Sequence, residues 1–155
     1  MALDDGATIP DIEVTLPDGG AFRLRNLIGQ PAVIYFYPKD DTTGCTREAQ
    51  GFSDQLDAFK AAGATVLGIS RDTPAKHRKF TEKYGLTVPL ASDETGLVTE
   101  GFGVWIEKSM YGRKYMGIDR STFLFDAGGK LVRSWHMVKV SGHVDEVLET
   151  VRELG

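Results

Sequence analysis

The clearest structural signal in this 155-residue chain is Ala32-Val33-Ile34-Tyr35-Phe36-Tyr37-Pro38-Lys39-Asp40-Asp41-Thr42-Thr43-Gly44-Cys45. Residues 32–37 form an unbroken apolar run rich in β-branched and aromatic side chains. Such a run suits a strand covered on both faces, in the middle of an α/β sheet. Pro38 ends it. After the loop 39–44, Cys45, Ala49, Phe52, Leu56 and Phe59 recur at i, i+4, i+7, i+11 and i+14, which is one face of a helix. Thr42 or Thr43 caps the helix start and Gly63 suits its end.

Working outward, Ile12–Leu16 and Ala21–Leu24 alternate around Pro17-Asp18-Gly19-Gly20 and predict an N-terminal β-hairpin. Thr65–Ser70 predicts a second buried strand. Thr73-Pro74 begins a helix that runs to Tyr84, with Gly85 after it. Val88-Pro89-Leu90 reads as a short strand, and Asp93-Glu94-Thr95-Gly96 opens a short helix towards Gly101. Ser121–Phe125 and Lys130–Val138 flank the turn Asp126-Ala127-Gly128-Gly129 as a second hairpin. A final helix starts near Ser141 and buries Val144, Val147, Leu148, Val151 and Leu154. The order hairpin, β-α-β-α-β, hairpin, helix predicts one α/β domain over 1–155, with a mixed central sheet flanked by helices. A thiol just after a central strand of such a sheet is the thioredoxin-like arrangement.

Composition narrows the function. Apolar residues are 41% and charged residues 26%, with a net charge of -4. A mildly acidic globular chain offers no general electrostatic attraction to nucleic acid or an anionic membrane. The start, Met1-Ala2-Leu3-Asp4-Asp5-Gly6, lacks the basic and apolar regions of a secretory signal. The longest strongly apolar run falls far short of the ~20 residues that span a bilayer. The expectation is a cytoplasmic protein. Cys45 is the only cysteine, which excludes an intrachain disulfide, a C-x-x-C redox pair and a multi-cysteine zinc site.

Position alone leaves Cys45 open to two readings. Cysteine is among the residues most often fully buried, and Cys45 shares its face with Phe52 and Leu56. It also falls in the first turn of a helix, where free N–H groups and the helix dipole favour the nucleophilic thiolate. The carboxyl edge of a parallel sheet is where α/β folds place ligands.

The spacing separates these readings. Pro38 to Cys45 reads P-x-x-x-T-x-x-C, which resembles the active-site signature of peroxiredoxins. Phe36-Tyr37-Pro38-Lys39-Asp40, Thr42-Thr43-Gly44-Cys45-Thr46, Glu48-Ala49, Tyr111–Ile118 and Arg120–Leu124 resemble the bacterioferritin comigratory protein, or peroxiredoxin Q, group. The likeness runs from about Ile9 to the C-terminus. It implies a thioredoxin-like fold and a thiol-dependent peroxidase acting on hydrogen peroxide and alkyl hydroperoxides. It implies that Cys45 is the peroxidatic cysteine and that Thr42 hydrogen-bonds the sulfur and the peroxide. By the same likeness Pro38 shields the thiolate, Arg120 completes the site from a distant strand, and Glu48 holds arginine side chains. No cofactor and no metal are implied. Arginine suits its role physically, because a fixed cationic fork stabilises charge on a leaving oxygen without reorganising.

One departure matters. Many members of this group carry a second, resolving cysteine five residues after the first or on the following helix. Here the first position is Gln50, and Pro74–Tyr84 contains no cysteine. The expectation is a one-cysteine enzyme, monomer or homodimer, whose sulfenic acid is reduced by an outside thiol. That thiol is a thioredoxin, a glutaredoxin or a low-molecular-weight compound. The competing reading is a thioredoxin-like protein without catalysis, acting as a holdase or a redox-regulated binding partner. A thiol–disulfide oxidoreductase is disfavoured by the missing C-x-x-C.

Other signals carry less. His77, His136 and His143 lack ligand spacing and read as surface or strand residues. Asp40 and Asp41 read as solvated loop acids. Asp126–Lys130 lacks the full phosphate-loop spacing and reads as a turn. Phe102, Val104 and Trp105, with Met110, Tyr111 and Tyr115, form an aromatic-rich stretch whose default reading is core, the alternatives being a wall of the site or a dimer surface.

Overall fold

A computed structural model describes residues 3–154. Met1, Ala2 and Gly155, at the two ends of the expected domain and signal reading, lie outside the described residues. Strand β1 spans Glu13–Thr15, β2 Ala21–Arg23, β3 Ala32–Phe36, β4 Thr65–Ser70, β5 Leu90–Ser92, β6 Trp105–Met110, β7 Arg113–Ile118, β8 Ser121–Phe125 and β9 Leu131–Trp135. Helix α1 spans Thr43–Asp54, α2 Leu56–Ala61, α3 Pro74–Tyr84, α4 Leu97–Gly101 and α5 His143–Leu154.

The apolar run supplies β3, an interior strand over Ala32–Phe36, with Tyr37 just past its end. Seven strands form one sheet in the order β2-β1-β5-β4-β3-β8-β9. Strand β3 runs parallel to β4 and antiparallel to β8, and β4 runs parallel to β5. The N-terminal hairpin β1–β2 extends the sheet beyond β5. Successive side chains of a strand point to opposite faces. Val33, Tyr35 and Tyr37 therefore join α1, α2 and α5 in one apolar layer. Ile34 and Phe36 join Phe102, Val104, Phe123 and Phe125 in the other. This is the thioredoxin-like, mixed-sheet α/β fold that the element order predicts.

Differences from the expected boundaries have local causes. The helix expected from Cys45 to Phe59 is broken at Gln55, whose φ is -99° and ψ 5°. Ser53, just before the break, accepts from the backbone N–H groups of Thr87 and Val88. Gly51 and Ser53 are also weak helix formers. The apolar face survives the break, since Cys45, Ala49, Phe52, Leu56 and Phe59 are all buried. Strand β5 begins at Leu90 rather than Val88, because Pro89 has no N–H to donate to a ladder. Strand β9 stops at Trp135: Met137 turns to φ +48° and donates to Asp119 Oδ1, while Val138 N donates to Arg120 O. The last helix starts at His143, after Gly142 at φ +76°.

The stretch read as aromatic core is corrected in part. Phe102 and Val104 are buried. Trp105 to Ile118 instead form a separate two-stranded ribbon, β6–β7, with Tyr111 at its tip. Met110, Tyr111 and Tyr115 are exposed there. No helix of the described residues is long and apolar enough to cross a membrane.

Candidate active site

Cys45 is the third residue of α1, and its side chain is buried on the sheet-facing side. Thr42 occupies the helix cap position with an extended backbone. Its hydroxyl does not cap the helix; it donates to Lys39 O at 2.9 Å. That bond closes the loop on itself and leaves the hydroxyl oxygen free to accept. Pro38 follows Tyr37 at the exit of β3 and is exposed.

Glu48 lies one turn beyond Cys45, and side chains three apart share a helix face. Its carboxylate is buried beside the sulfur-bearing turn. Arg120 arrives from the start of β8. Its Nη1 donates to Glu48 Oε1 at 2.8 Å and its Nη2 to Cys45 Sγ at 3.2 Å. One planar guanidinium therefore spans both groups, which a single ammonium cannot do. A Cβ at Gly44 would sit 3.2 Å from Arg120 Nη2, so a side chain there would shift the guanidinium by a few tenths of an ångström.

The charges are unequal in setting. The Glu48 side chain is 0% exposed against 17% for Arg120. Burial raises the Glu48 carboxyl to about 7, against the opposing pull of Arg120. Its Oε2 has no hydrogen-bond partner among the described residues. The arginine is held cationic by Glu48 and Cys45 despite its burial. A cationic fork and the first turn of α1 both face the sulfur, and each favours negative charge there. The arrangement suits a nucleophilic thiolate and an anionic leaving oxygen.

The structure thus joins Cys45, Glu48 and Arg120 by direct bonds and sets Thr42 in the preceding loop. Lys108 on β6 was not singled out by the sequence. It is half-buried, and burial lowers its ammonium, with Asp119, Arg120 and Cys45 acting on it. Nothing in the charged pattern of β6 marks it; only the folding of the ribbon brings it near.

Two of the three histidines depart from expectation, while His136 is exposed, as read. His77 and His143 are buried, on α3 and at the start of α5, because each finds hydrogen-bond partners inside the fold. The reading of Asp40 as a solvated acid is also corrected, whereas Asp41 stays exposed, as read. Asp40 is buried and bonded to Tyr37 and His77. Asp41 accepts from Lys83 and Tyr84.

Comparison with known proteins bears on this site. Residues 6–134 match the AhpC/TSA family. The chain is 42% identical to peroxiredoxin Bcp of Bacillus subtilis, covering 99% of this chain and 98% of the relative. It is 44% identical to peroxiredoxin Bcp of Escherichia coli K12, covering 97% of each. Among solved structures it is similar to a cysteine-to-serine mutant of Xylella fastidiosa PrxQ, with a TM-score of 0.93 and 37% identity over 99% of this chain and 98% of that one. The Xanthomonas campestris bacterioferritin comigratory protein gives a TM-score of 0.90 and 41% identity, covering 97% and 99%.

Proposed function

Because this chain belongs to the AhpC/TSA family, alongside bacterial peroxiredoxins of the Bcp and PrxQ type, we propose that it reduces hydrogen peroxide and alkyl hydroperoxides by a one-cysteine cycle. Thiol-dependent peroxidase chemistry is the family's activity. The observation that carries the assignment of residues is the Arg120 guanidinium shared between Cys45 Sγ and Glu48.

In this reading the Cys45 thiolate attacks one peroxide oxygen. An S–O bond forms, the O–O bond breaks, and the electron pair leaves with the distal oxygen. Arg120 stabilises that developing charge, and Glu48 fixes the plane of the fork. Thr42 turns its hydroxyl from Lys39 O to the bound peroxide. Pro38 walls the approach. The leaving oxygen takes a proton and departs as water or an alcohol, and Cys45 remains as the sulfenic acid.

No second cysteine exists in the sequence to condense with it. An outside thiol attacks the sulfenic sulfur and releases water, giving a mixed disulfide. A second thiol then returns Cys45 to the thiol. Alkyl peroxides enter the proposal because the solved Xanthomonas campestris relative is described with alkyl peroxide reduction activity. The unit is taken to be one domain over 1–155, cytoplasmic, monomer or homodimer, reduced by a thioredoxin, a glutaredoxin or a small thiol.

The test is peroxide consumption by wild type and Cys45→Ser with each thiol donor supplied in turn. Turnover by wild type and none by the variant is expected. Equal consumption by both proteins overturns the assignment. A wild-type Cys45 that peroxide never oxidises returns the chain to a non-catalytic binding role.

A further inference from the structure

The loop between β3 and α1 carries Thr42 and delivers Cys45, and α3 holds it from the side. Lys83 Nζ and Tyr84 Oη donate to the two carboxylate oxygens of Asp41 at 2.8 and 2.6 Å. Asp41 sits at φ +60°, a left-handed backbone that non-glycine residues seldom adopt without support. Asp40 is held more deeply. Its Oδ1 accepts from Tyr37 Oη at 2.6 Å, and its backbone N–H donates to Asp72 Oδ2 at 2.8 Å. Ser70 Oγ donates to the same Asp72 oxygen at 2.7 Å. Burial raises the Tyr37 phenol well above its ordinary range and keeps it a donor.

His77 closes this network. Its ring is 0% exposed. Nδ1 lies 2.6 Å from Asp40 Oδ2, and Nε2 lies 3.0 Å from the backbone carbonyl oxygen of Ala91. A carbonyl oxygen only accepts, so Nε2 carries a proton. The 2.6 Å contact between Nδ1 and Asp40 Oδ2 holds a second proton between ring and carboxyl. Polar groups buried this deeply are tolerated when they are hydrogen-bonded, as both ring nitrogens are here.

We propose that His77 is a positioning residue of the peroxidase reaction: bonded at both ring nitrogens, it fastens the catalytic loop, through Asp40, to α3 and β5. It touches neither sulfur nor peroxide. It acts through the backbone that sets Thr42 and the first turn of α1, whose placement must hold to a fraction of an ångström for in-line attack. The proposal rests on the peroxidase reading.

Two measurements on the full chain test it. Single-turnover oxidation of Cys45 by hydrogen peroxide is expected to slow at least about tenfold in His77→Gln and in Asp40→Asn. The double variant is expected to be no slower than the worse single one, because both substitutions break one linkage. A folded His77→Gln that melts earlier yet oxidises at the wild-type rate shows a merely structural histidine and overturns the proposal. Amide exchange of residues 40–46 separates the two readings. If wild-type Cys45 is inert, the peroxidase reading fails by itself. If exchange of that loop in His77→Gln matches wild type, the loop anchor fails, whatever the enzyme does.

Discussion

Arg120 reaches Cys45 across 75 positions of sequence. Its fork meets the sulfur with one nitrogen and Glu48 with another, so its orientation and its charge are separable. Arg120→Lys keeps the charge and loses the span; Arg120→Met loses both. Removing a preorganised donor to a developing oxyanion costs about 100-fold or more in rate. We expect Arg120→Met to slow Cys45 oxidation by about that factor, with Arg120→Lys between it and wild type. Rapid-mixing measurements of sulfenic acid formation check this. A lysine variant as fast as wild type would mean that charge alone suffices.

At the scale of elements, the site depends on how closely β3 and β4 pack under α1. Gly68 on β4 pairs with Tyr35 on β3. A Cβ at Gly68 would fall 2.5 Å from the Tyr35 ring carbon Cζ. That ring is fully buried and stacks on Phe52 of α1, with centroids 4.4 Å apart. It has nowhere to retreat. Gly68→Ala is expected to destabilise the fold by about 1–3 kcal/mol, the usual cost of overpacking, read as a lower denaturant midpoint. An unchanged midpoint would show that the β3–α1 layer yields. The same layer approaches α5 at Gly51, where a Cβ would meet Val144 Cγ2 at 3.0 Å.

For the whole molecule, buried ionisable groups set how stability varies with pH. His143 ties α5 to β8 through Thr122, at 2.8 Å. Burial pushes its imidazole down to about 4, against the pull of Glu146. Between that value and the ordinary 6.5, the unfolded chain binds the proton and the folded chain does not. Stability from this group is therefore lost as pH falls from 6.5 towards 4. Glu48 works oppositely: its carboxyl, raised from 4.5 to about 7, loses stabilisation as pH rises across that interval. Relative to wild type, His143→Gln is expected to gain stability as pH falls from 6.5 to 4. Melting curves across that range check it, and a constant difference would show that His143 is not linked to unfolding. A second property of the whole chain is its single thiol. With no internal partner, a sulfenic acid at Cys45 stays open to further oxidation. Without reductant, stepwise peroxide is expected to carry the intact mass past one added oxygen to two. A stable single-oxygen adduct at large excess would count against this.

The sequence by itself determined the sheet, the order of its main elements and the candidate nucleophile. Those signals are local: a doubly apolar run makes a central strand, a 3.6-residue period makes a helix face, and a spaced Pro-Thr-Cys signature marks the loop between them. The β6–β7 ribbon escaped notice because its alternation is blurred by charge and its Tyr111-Gly112 tip is a weak turn signal. Only the tertiary structure decided which distant side chains meet the loop. Arg120 and Glu48 share one ion pair because β3 and β8 are neighbours. Asp40 looks like a solvated acid in the chain, yet α3 folds against it and supplies His77. Whether a polar residue is solvated or buried depends on what packs beside it. That is settled by contacts between residues far apart in the chain, which no local pattern encodes.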